Sequence, residues 1–518
     1  MLPFKKSIIV FVFSILFLGF NEIFAGSPLK VHSQNPRYFT DESGKAILLT
    51  GSHMWDNRQD ITKADDNHRF NFTGYLNWMQ KYNHNFIRLW IWEQAKWHPY
   101  MSSGFLFSPT IYMRTGSGVA LDKQPKYDVG KFNPEFFDRL RSRVVEAGKR
   151  GFYVSIMLFE GWSVGSKKGN KENPWCSHPF NRENNSNGID GDINGDGEGN
   201  EINTMNDNPN ARAVRELQEQ YIKKVIDTVN DLDNVMYEIG NEFDRDSEQW
   251  QYYMINFIKN YETQYKPKQH PVWMTVAWGS GNNDSLNAGL FKSPADVISP
   301  NPEGGYRDNP PVNDGKKIII ADTDHLWGIG GNQKWVWKSF LRGLHPVFMD
   351  PYDAYYAGAY DNAHKPFDVK WDPIRRSMGY ARSYAEKMNL AGMTPQNDLS
   401  STGYCLANPG VEYLVYQPSP DTAFTINLKA GTYSYEWFNP SEGMVAGNGS
   451  LSVQDGVSSF IPPFSGDAIL YLRIVGIGNG KRNRTPEIFD FSWTFNKGDI
   501  PIQYSVKGGM TGGFLKIL

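Results

Sequence analysis

The segment from residue 234 to 245, NVMYEIGNEFDR, ends a run of apolar residues on an Asn-Glu pair. The apolar residues from 235 to 239 predict a buried strand, and a carboxylate at the point where such a strand emerges is costly to desolvate. Alternation along the strand puts Glu238 and Glu242 on one face, with Glu242 nearer the end. Glu242 is therefore a candidate catalytic acid, and Glu238 is expected to have a structural role.

A second acidic segment, KKIIIADTDHLWG at residues 316–328, offers a partner for Glu242. Alternation places Asp322 and Asp324 on the same side as two isoleucines that are expected to fill a core. Cleavage of a glycosidic bond requires two facing carboxylates, because one protonates the leaving oxygen while the other attacks the sugar or activates water. Asp322 and Asp324 are both candidates for the second carboxylate, and the other acids that could serve are Glu160, Asp350 and Asp353.

Eight apolar runs, separated by amphipathic helical stretches, position these acids. The predicted strands are residues 46–51, 85–92, 152–159, 234–240, 271–278, 295–300, 316–324 and 345–350. This alternation is typical of an α/β protein in which eight parallel strands close into a (β/α)8 TIM barrel. Catalytic residues of such barrels lie at the C-terminal ends of the strands. Glu242 ends the fourth predicted strand, and the two aspartates end the seventh.

The Asn-Glu ending on strand four, with an acid on strand seven, resembles retaining glycoside hydrolases of the large (β/α)8 clan that includes cellulases, mannanases and β-galactosidases. The resemblance implies that Glu242 is the acid/base, that Asn241 binds the sugar 2-hydroxyl, and that Arg88 in NFIRLW steadies the nucleophile. The clan's seventh strand has a pattern like IIITE, and this sequence has IIIAD. Asp322 would thus stand at the nucleophile position with a side chain one methylene shorter.

Other residues at or beyond the predicted strand ends are candidates for sugar binding, since aromatic faces stack on the apolar faces of sugar rings. Each of these aromatic side chains could equally pack in the core, and His325 could tune protonation or bond a neighbouring backbone. The predicted substrate-binding set, besides Arg88 and Asn241, is His53, Trp55, Trp92, Trp162, Trp278, His325, Trp327 and Tyr352. The same ends carry Asp56, Glu93 and Trp97.

The segment DGDINGDGEGNE, residues 190–201, fits the calcium-loop spacing D-x-[DN]-x-[DN]-G-x5-E. Carboxylate and amide oxygens at these positions are hard ligands of the kind that Ca²⁺ prefers. We expect a structural calcium ion that orders the long insertion at residues 161–210, and no cofactor for catalysis. The alternative is a solvated, flexible loop. The predicted ligands are Asp190, Asp192, Asn194, Asp196 and Glu201.

Short alternating strands with Gly, Pro and Asn turns follow the predicted barrel at residues 26–395 and indicate a small antiparallel β-sandwich at residues 396–475. The segments YEWFNP and PPFSGDAILYL resemble a C-terminal domain family named for collagen binding, which occurs beside apiosidase-like barrels. The resemblance implies a sandwich that caps the barrel or binds glycan. Residues 476–518 have no clear periodicity, and we expect a tail of unknown role.

The N-terminus resembles an export signal: two lysines, Lys5 and Lys6, precede a short apolar stretch, with Ala25 as a cleavage position. We expect residues 1–25 to be removed and the protein to be secreted or periplasmic, with no membrane attachment afterwards. A net charge of −3 without a basic run argues against nucleic acid as a partner.

The sequence therefore predicts a secreted, retaining glycoside hydrolase whose partner is a polysaccharide or oligosaccharide. The alternative is a non-catalytic carbohydrate- or matrix-binding protein on a degenerate barrel, which the aspartate on strand seven favours. A peptidase is disfavoured because the sequence carries no H-E-x-x-H motif and no convincing Cys-His pair.

Overall fold

Eight parallel strands close a barrel in this computed structural model, which describes residues 27–62, 67–96, 105–165, 173–277, 286–353 and 365–475. The last strand pairs with the first, so the predicted TIM-barrel fold is confirmed. The predictions for residues 1–25, Trp97, Trp278 and residues 476–518 lie outside the described residues. The barrel strands are β1 (Gly51–Met54), β2 (Phe86–Leu89), β3 (Tyr153–Glu160), β4 (Val235–Asn241), β5 (Val272–Thr275), β6 (Val297–Ser299), β7 (Ile318–Asp322) and β8 (His345–Met349).

Amphipathic helices cover the outside of the barrel. One of them, Pro134–Lys149, begins as its sequence predicts, because the Asn133 side chain accepts a hydrogen bond from the Glu135 N–H and Pro134 occupies the first turn. The longer helices are α1 (Phe72–Lys81), α2 (Pro134–Lys149), α3 (Pro209–Val229), α4 (Glu248–Tyr265), α5 (Leu286–Lys292), α6 (Gln333–Leu341) and α7 (Asp372–Lys387).

Short helical turns and small hairpins make up much of the remaining structure. A four-residue turn, Thr323–Leu326, follows β7 directly. The 3-10 turns are Gly161–Ser163, Pro174–Ser177, Arg182–Asn184, Asn200–Asn203, Arg245–Ser247, Glu303–Gly305, Val369–Trp371, Leu390–Gly392 and Asn397–Leu399. The antiparallel pairs are Lys30–Val31 with Phe39–Thr40, Asp60–Thr62 with Leu106–Ser108, and Tyr112–Val119 with Pro125–Phe132.

Apolar side chains form one buried cluster within the barrel strands, and on β4 and β7 polar groups follow them along the strand. On β4 the order is Met236 and then Glu238, and on β7 it is Ile318, Ile320 and then Asp322. Each fully buried aliphatic side chain contributes roughly 1.5–3 kcal/mol to stability relative to an exposed one. The apolar layer thus supports a charged layer nearer the C-terminal rim.

The first barrel strand begins later than its sequence predicts. We expected residues 46–51, and the structure has Gly51–Met54, because two backbone N–H groups before the strand bond to side chains. Leu49 donates to His345 Nδ1 at 2.9 Å, and Thr50 donates to Asn85 Oδ1 at 2.9 Å. His53 therefore lies inside the barrel wall, fully buried, and does not follow the strand.

Two antiparallel sheets follow the barrel and are consistent with a β-sandwich. The larger sheet has six strands in the order Thr394–Pro395, Cys405–Asn408, Glu412–Gln417, Ala468–Ile474, Gly431–Asn439 and Met444–Val453, and the smaller sheet pairs Phe424–Leu428 with Gly456–Phe460. Of the two cysteines, Cys405 is buried in this region and Cys176 lies in the insertion, and both thiols are free. The strands are β9 (Thr394–Pro395), β10 (Cys405–Asn408), β11 (Glu412–Gln417), β12 (Phe424–Leu428), β13 (Gly431–Asn439), β14 (Met444–Val453), β15 (Gly456–Phe460) and β16 (Ala468–Ile474).

An apolar contact joins these sheets to α6 and α7 of the barrel. Trp337 on α6 packs against Tyr416 and Phe438, with ring centroids 6.4 and 6.2 Å apart. Tyr384 on α7 donates a hydrogen bond of 2.6 Å to Glu436. None of the helices among the described residues has the length and apolar character that a membrane span requires.

Candidate active site

Arg88, on β2, organises the charged layer at the C-terminal rim. Its guanidinium is fully buried and donates to Glu238, with Nε–O distances of 2.9 and 3.0 Å. It also donates from Nη2 to Asn241 Oδ1 at 2.8 Å and from Nη1 to Asp322 Oδ2 at 3.1 Å. A buried charge is tolerated only when it is paired and hydrogen-bonded, and Arg88 meets both conditions. The sequence prediction for Arg88 did not foresee Glu238 as its main partner.

Asp322, the last residue of β7, accepts three hydrogen bonds and is fully buried. Arg88 bonds one oxygen, while His53 Nε2 at 3.2 Å and the Asp324 N–H at 3.0 Å bond the other. His53 Nε2 must carry the hydrogen, because an ionised carboxylate only accepts. Burial opposes ionisation, but His53 and Arg88 outweigh it and hold the pKa of Asp322 below its usual range. Asp322 is thus an anchored anion.

Asp324 lies in the turn after β7 and is held less firmly than Asp322. Its Oδ2 is 3.6 Å from Arg88 Nη1 and 3.8 Å from His325 Nε2, both longer than a hydrogen bond. This oxygen accepts no hydrogen bond from any described residue, although it is buried. The side chain is 7% exposed. Asp324 therefore has an oxygen available for a further partner.

Asn241 connects the two strands that carry the candidate acids. Its Oδ1 accepts from Arg88 Nη2 and from His325 Nε2, each at 2.8 Å. Burial lowers the pKa of His325, so the ring is neutral, with its hydrogen on Nε2 and Nδ1 at 3.2 Å from Ser299 Oγ. Asn241 Nδ2 is buried and donates to none of the described residues. Asn241 can therefore offer amide hydrogens to a ligand.

Glu242 follows β4 in a left-handed backbone conformation, with φ of 51°. Such a conformation costs about 1–3 kcal/mol for a residue other than glycine and persists only where the surroundings enforce it. The opposing residue is Gly161, where a Cβ would stand 2.5 Å from the Glu242 carbonyl oxygen and from Phe243 Cα. The strand end and the start of the insertion therefore fix each other, with Glu242 partly buried between them.

Glu160, at the end of β3, faces the same centre. It pairs in register with Asn241, and its Oε1 accepts from the Trp162 N–H at 3.1 Å. Its Oε2 is buried and accepts from no described residue. Burial, and then the negative charge of Glu242, raise the pKa of Glu160 well above its usual range. The sequence indicates Glu160 only as an alternative second carboxylate. Its burial depends on residues that are distant in the chain and cannot be inferred from the residues next to it in sequence.

The raised pKa of Glu160 predicts how the free energy of unfolding depends on pH. Protonation favours the folded state, so the free energy of unfolding should fall as pH rises above the ordinary value of 4.5. Glu160→Gln is neutral at every pH and should escape this loss. Relative to the wild type, the variant should gain up to about 1.4 kcal/mol for each pH unit between the unfolded and folded pKa. Urea denaturation of both proteins at pH 5 and pH 8 measures the difference, and a pH-independent difference would contradict it.

The predicted sugar-binding aromatics fall into two groups. Trp92 and Tyr352 are buried in aromatic clusters, where the Trp92 indole N–H donates to the Trp55 carbonyl at 2.8 Å. Trp55, Trp162 and Trp327 are partly exposed at the rim. Packing therefore accounts for the first group, and the second group remains available for ligand contact. Trp278 lies outside the described residues.

The predicted calcium loop forms a network of turns. Both oxygens of Asp192 accept backbone N–H groups, from Gly195 at 2.8 Å and Asp196 at 3.0 Å to one oxygen and from Gly197 at 2.9 Å to the other. The Asn194 amide nitrogen donates to Asp196 and Glu201. Asp190 accepts from the Asp192 N–H at 3.3 Å. Calcium binding here stays a prediction from the spacing.

Comparison with known proteins supports the fold assignment. Residues 49–278 match the model of DUF6298, a domain family of unknown function. No curated protein sequence matches the chain. A glycoside hydrolase family 5 structure from Bacteroides vulgatus superposes with a TM-score of 0.57 at 12% identity, covering 87% of this chain and 94% of that one. A second glycoside hydrolase structure gives 0.53 at 13% identity, with 87% and 97% covered. At such identities the similarity establishes a common fold.

Proposed function

We propose that this protein is a secreted glycoside hydrolase that cleaves O-glycosidic bonds of a polysaccharide or oligosaccharide by a retaining, two-carboxylate mechanism. The observation that carries the proposal is the arrangement of Glu242 and Asp324. They follow β4 and β7 at the C-terminal rim, with Arg88 and Asn241 linking the two strands. Active sites of this barrel form at that rim. The structural neighbours that are glycoside hydrolases add support.

In the proposed mechanism Glu242 protonates the leaving oxygen and Asp324 attacks the anomeric carbon. We assign the second role to Asp324 because all three hydrogen bonds of Asp322 hold it in the barrel wall, whereas Asp324 has an oxygen without a described donor. Burial and the charge of Glu242 favour protonated Glu160, which adds no second negative charge beside Glu242 and so eases loss of the Glu242 proton.

The free amide hydrogens of Asn241 suit a sugar hydroxyl at the reacting ring. Both acceptor positions of its oxygen are filled by Arg88 and His325, so the amide cannot turn over without losing two bonds. Fixed donors of this kind can strengthen their bond to the sugar as the transition state develops. This is the role that the resemblance to the retaining clan implies for Asn241.

The assignment between the two aspartates is tested by a matched pair of variants. Asp324→Asn should lower kcat by roughly 10³-fold or more, as loss of a nucleophile does, with little change in the free energy of unfolding. Asp322→Asn should lower the free energy of unfolding by about 3–5 kcal/mol, because it breaks a buried pair with Arg88. Kinetics and urea denaturation of both variants measure these effects. The reverse pattern would give the nucleophile role to Asp322.

A second candidate function is carbohydrate binding without turnover. The feature that favours it is the short, immobilised Asp322 at the position where the retaining clan has a glutamate. A screen of plant, algal and host polysaccharides and aryl glycosides separates the two functions. Reducing-end release, with a first product of unchanged anomeric configuration by NMR, supports retaining hydrolysis. Saturable binding to a glycan without product formation supports the alternative.

A further inference from the structure

Three side chains from separate segments meet on the β1 and β8 side of the rim. Asp56 follows β1, His68 precedes α1, and Asp353 follows β8. One potential ligand atom of each lies within 4.8 Å of the others, and no other set of three His, Cys, Asp or Glu residues in the described parts of the chain meets this condition. The sequence marks both aspartates separately and does not connect them with His68, because the loops that bring them together carry no motif.

The distances in this cluster fit a metal ion better than direct hydrogen bonds. His68 Nε2 is 3.7 Å from Asp56 Oδ2 and 3.8 Å from Asp353 Oδ2. A hydrogen bond between nitrogen and oxygen is about 2.7–3.2 Å long. Ligands bound tetrahedrally at about 2.0–2.2 Å from a zinc ion lie about 3.3–3.6 Å apart. The observed separations are within a few tenths of an ångström of that edge length.

Asp56 provides independent support for a ligand at this place. It is completely buried, and neither of its carboxylate oxygens accepts a hydrogen bond from any described residue. Burying a carboxylate without a donor or a cation costs several kcal/mol. The guanidinium that acts on Asp56 is that of Arg143, which donates to the Asn57 carbonyl and gives neither Asp56 oxygen a hydrogen bond. A divalent cation between Asp56 and the partly exposed His68 and Asp353 would offset the cost of burying this carboxylate.

We propose that Asp56, His68 and Asp353 bind a divalent transition-metal ion, with Zn²⁺ as the preferred occupant. One imidazole and two carboxylates suit zinc, whereas calcium and magnesium prefer oxygen ligands alone. Three protein ligands leave a coordination position open to water or to an oxygen of a bound molecule. The ion would tie the segment after β1 to the segment after β8. The proposal is independent of the hydrolytic function.

Metal binding is tested on the full chain without a histidine tag. After dialysis against a chelator, isothermal titration with ZnCl₂ should give one site that CaCl₂ does not occupy. His68→Ala and Asp353→Asn should each weaken Zn²⁺ binding by more than about 100-fold, since loss even of groups that merely orient metal ligands costs about 10–100-fold. Co²⁺ in place of Zn²⁺ should give visible absorption bands that both variants lose.

Asp192→Asn is the matched control, because it removes a carboxylate from the predicted calcium loop and leaves this cluster intact. It should retain wild-type affinity for Zn²⁺. His68 and Asp353 are partly exposed, with side-chain exposures of 21% and 17%, so their variants should fold even if substitution of buried Asp56 prevents folding. The proposal would be overturned if the wild type did not bind Zn²⁺, or if His68→Ala and Asp353→Asn bound Zn²⁺ as tightly as the wild type does.

Discussion

Glu242→Gln should lower kcat/KM on a natural glycan substrate by roughly 10²–10⁴-fold, the usual contribution of a general acid. The amide keeps the shape of the side chain but cannot deliver a proton to the leaving oxygen. The backbone at Glu242 packs directly against Gly161, and the substitution leaves this backbone contact in place, so the turn should persist in the variant. Initial-rate kinetics of wild type and variant on a substrate found by the glycan screen measure the loss.

Glu386→Gln on α7 is a suitable control, because this glutamate is 57% exposed and pairs only with Arg382 among the described residues. It should retain wild-type rates. Aryl glycosides with strongly acidic phenols need little protonation, so Glu242→Gln should lose much less activity on them than on the glycan. Full activity of Glu242→Gln on the glycan would exclude Glu242 as the proton donor.

Arg88→Met should lower the free energy of unfolding by about 3–5 kcal/mol, the typical cost of removing one partner from a buried ion pair. The guanidinium is fully buried between Glu238, Asn241 and Asp322, so its loss leaves two carboxylates without their cation. Urea denaturation at pH 7 measures the change. Hydrolysis should also fail, since Asn241 loses one of the two bonds that fix its amide.

The double variant Arg88→Met/Glu238→Gln separates the cost of the missing cation from the cost of lost packing. It should be more stable than Arg88→Met alone, because the amide leaves one buried charge fewer without a partner. Arg376→Met is the exposed counterpart on α7, where the side chain is 53% exposed and pairs with Asp372. It should change stability by less than about 1 kcal/mol. Equal effects at Arg88 and Arg376 would contradict the structural role of Arg88.

The sequence sufficed for the fold because most barrel strands lie within nearly continuous apolar runs, which a sheet covered on both faces favours. It also indicated Glu242 at the rim, since a polar residue that ends an apolar run marks the rim, whereas Asn241 and Arg88 were expected from the resemblance to the retaining clan. The start of β1 was wrong because Leu49 and Thr50 bond to side chains that are distant in the chain. Local patterns carry no information on such contacts.

The different environments of Asp322 and Asp324 show what sequence reasoning could not reach. Alternation assigns both to one side, but a helical turn begins between them, so one accepts three hydrogen bonds while the other keeps an oxygen open. The raised pKa of Glu160 and the position of His68 beside Asp56 depend equally on groups from separate segments. These properties follow from three-dimensional neighbours only.

The aromatic contact between Trp337 and the residues Tyr416 and Phe438 limits where the chain can be cut to give a stable fragment. A fragment that stopped near residue 395 would leave the Trp337 and Tyr384 rings, on α6 and α7, without their partner rings and exposed to water. Such a truncated piece would tend to self-associate. We therefore expect that a C-terminal half taken from a related protein would be accepted only if its side chains match Trp337 and Tyr384 on the barrel helices.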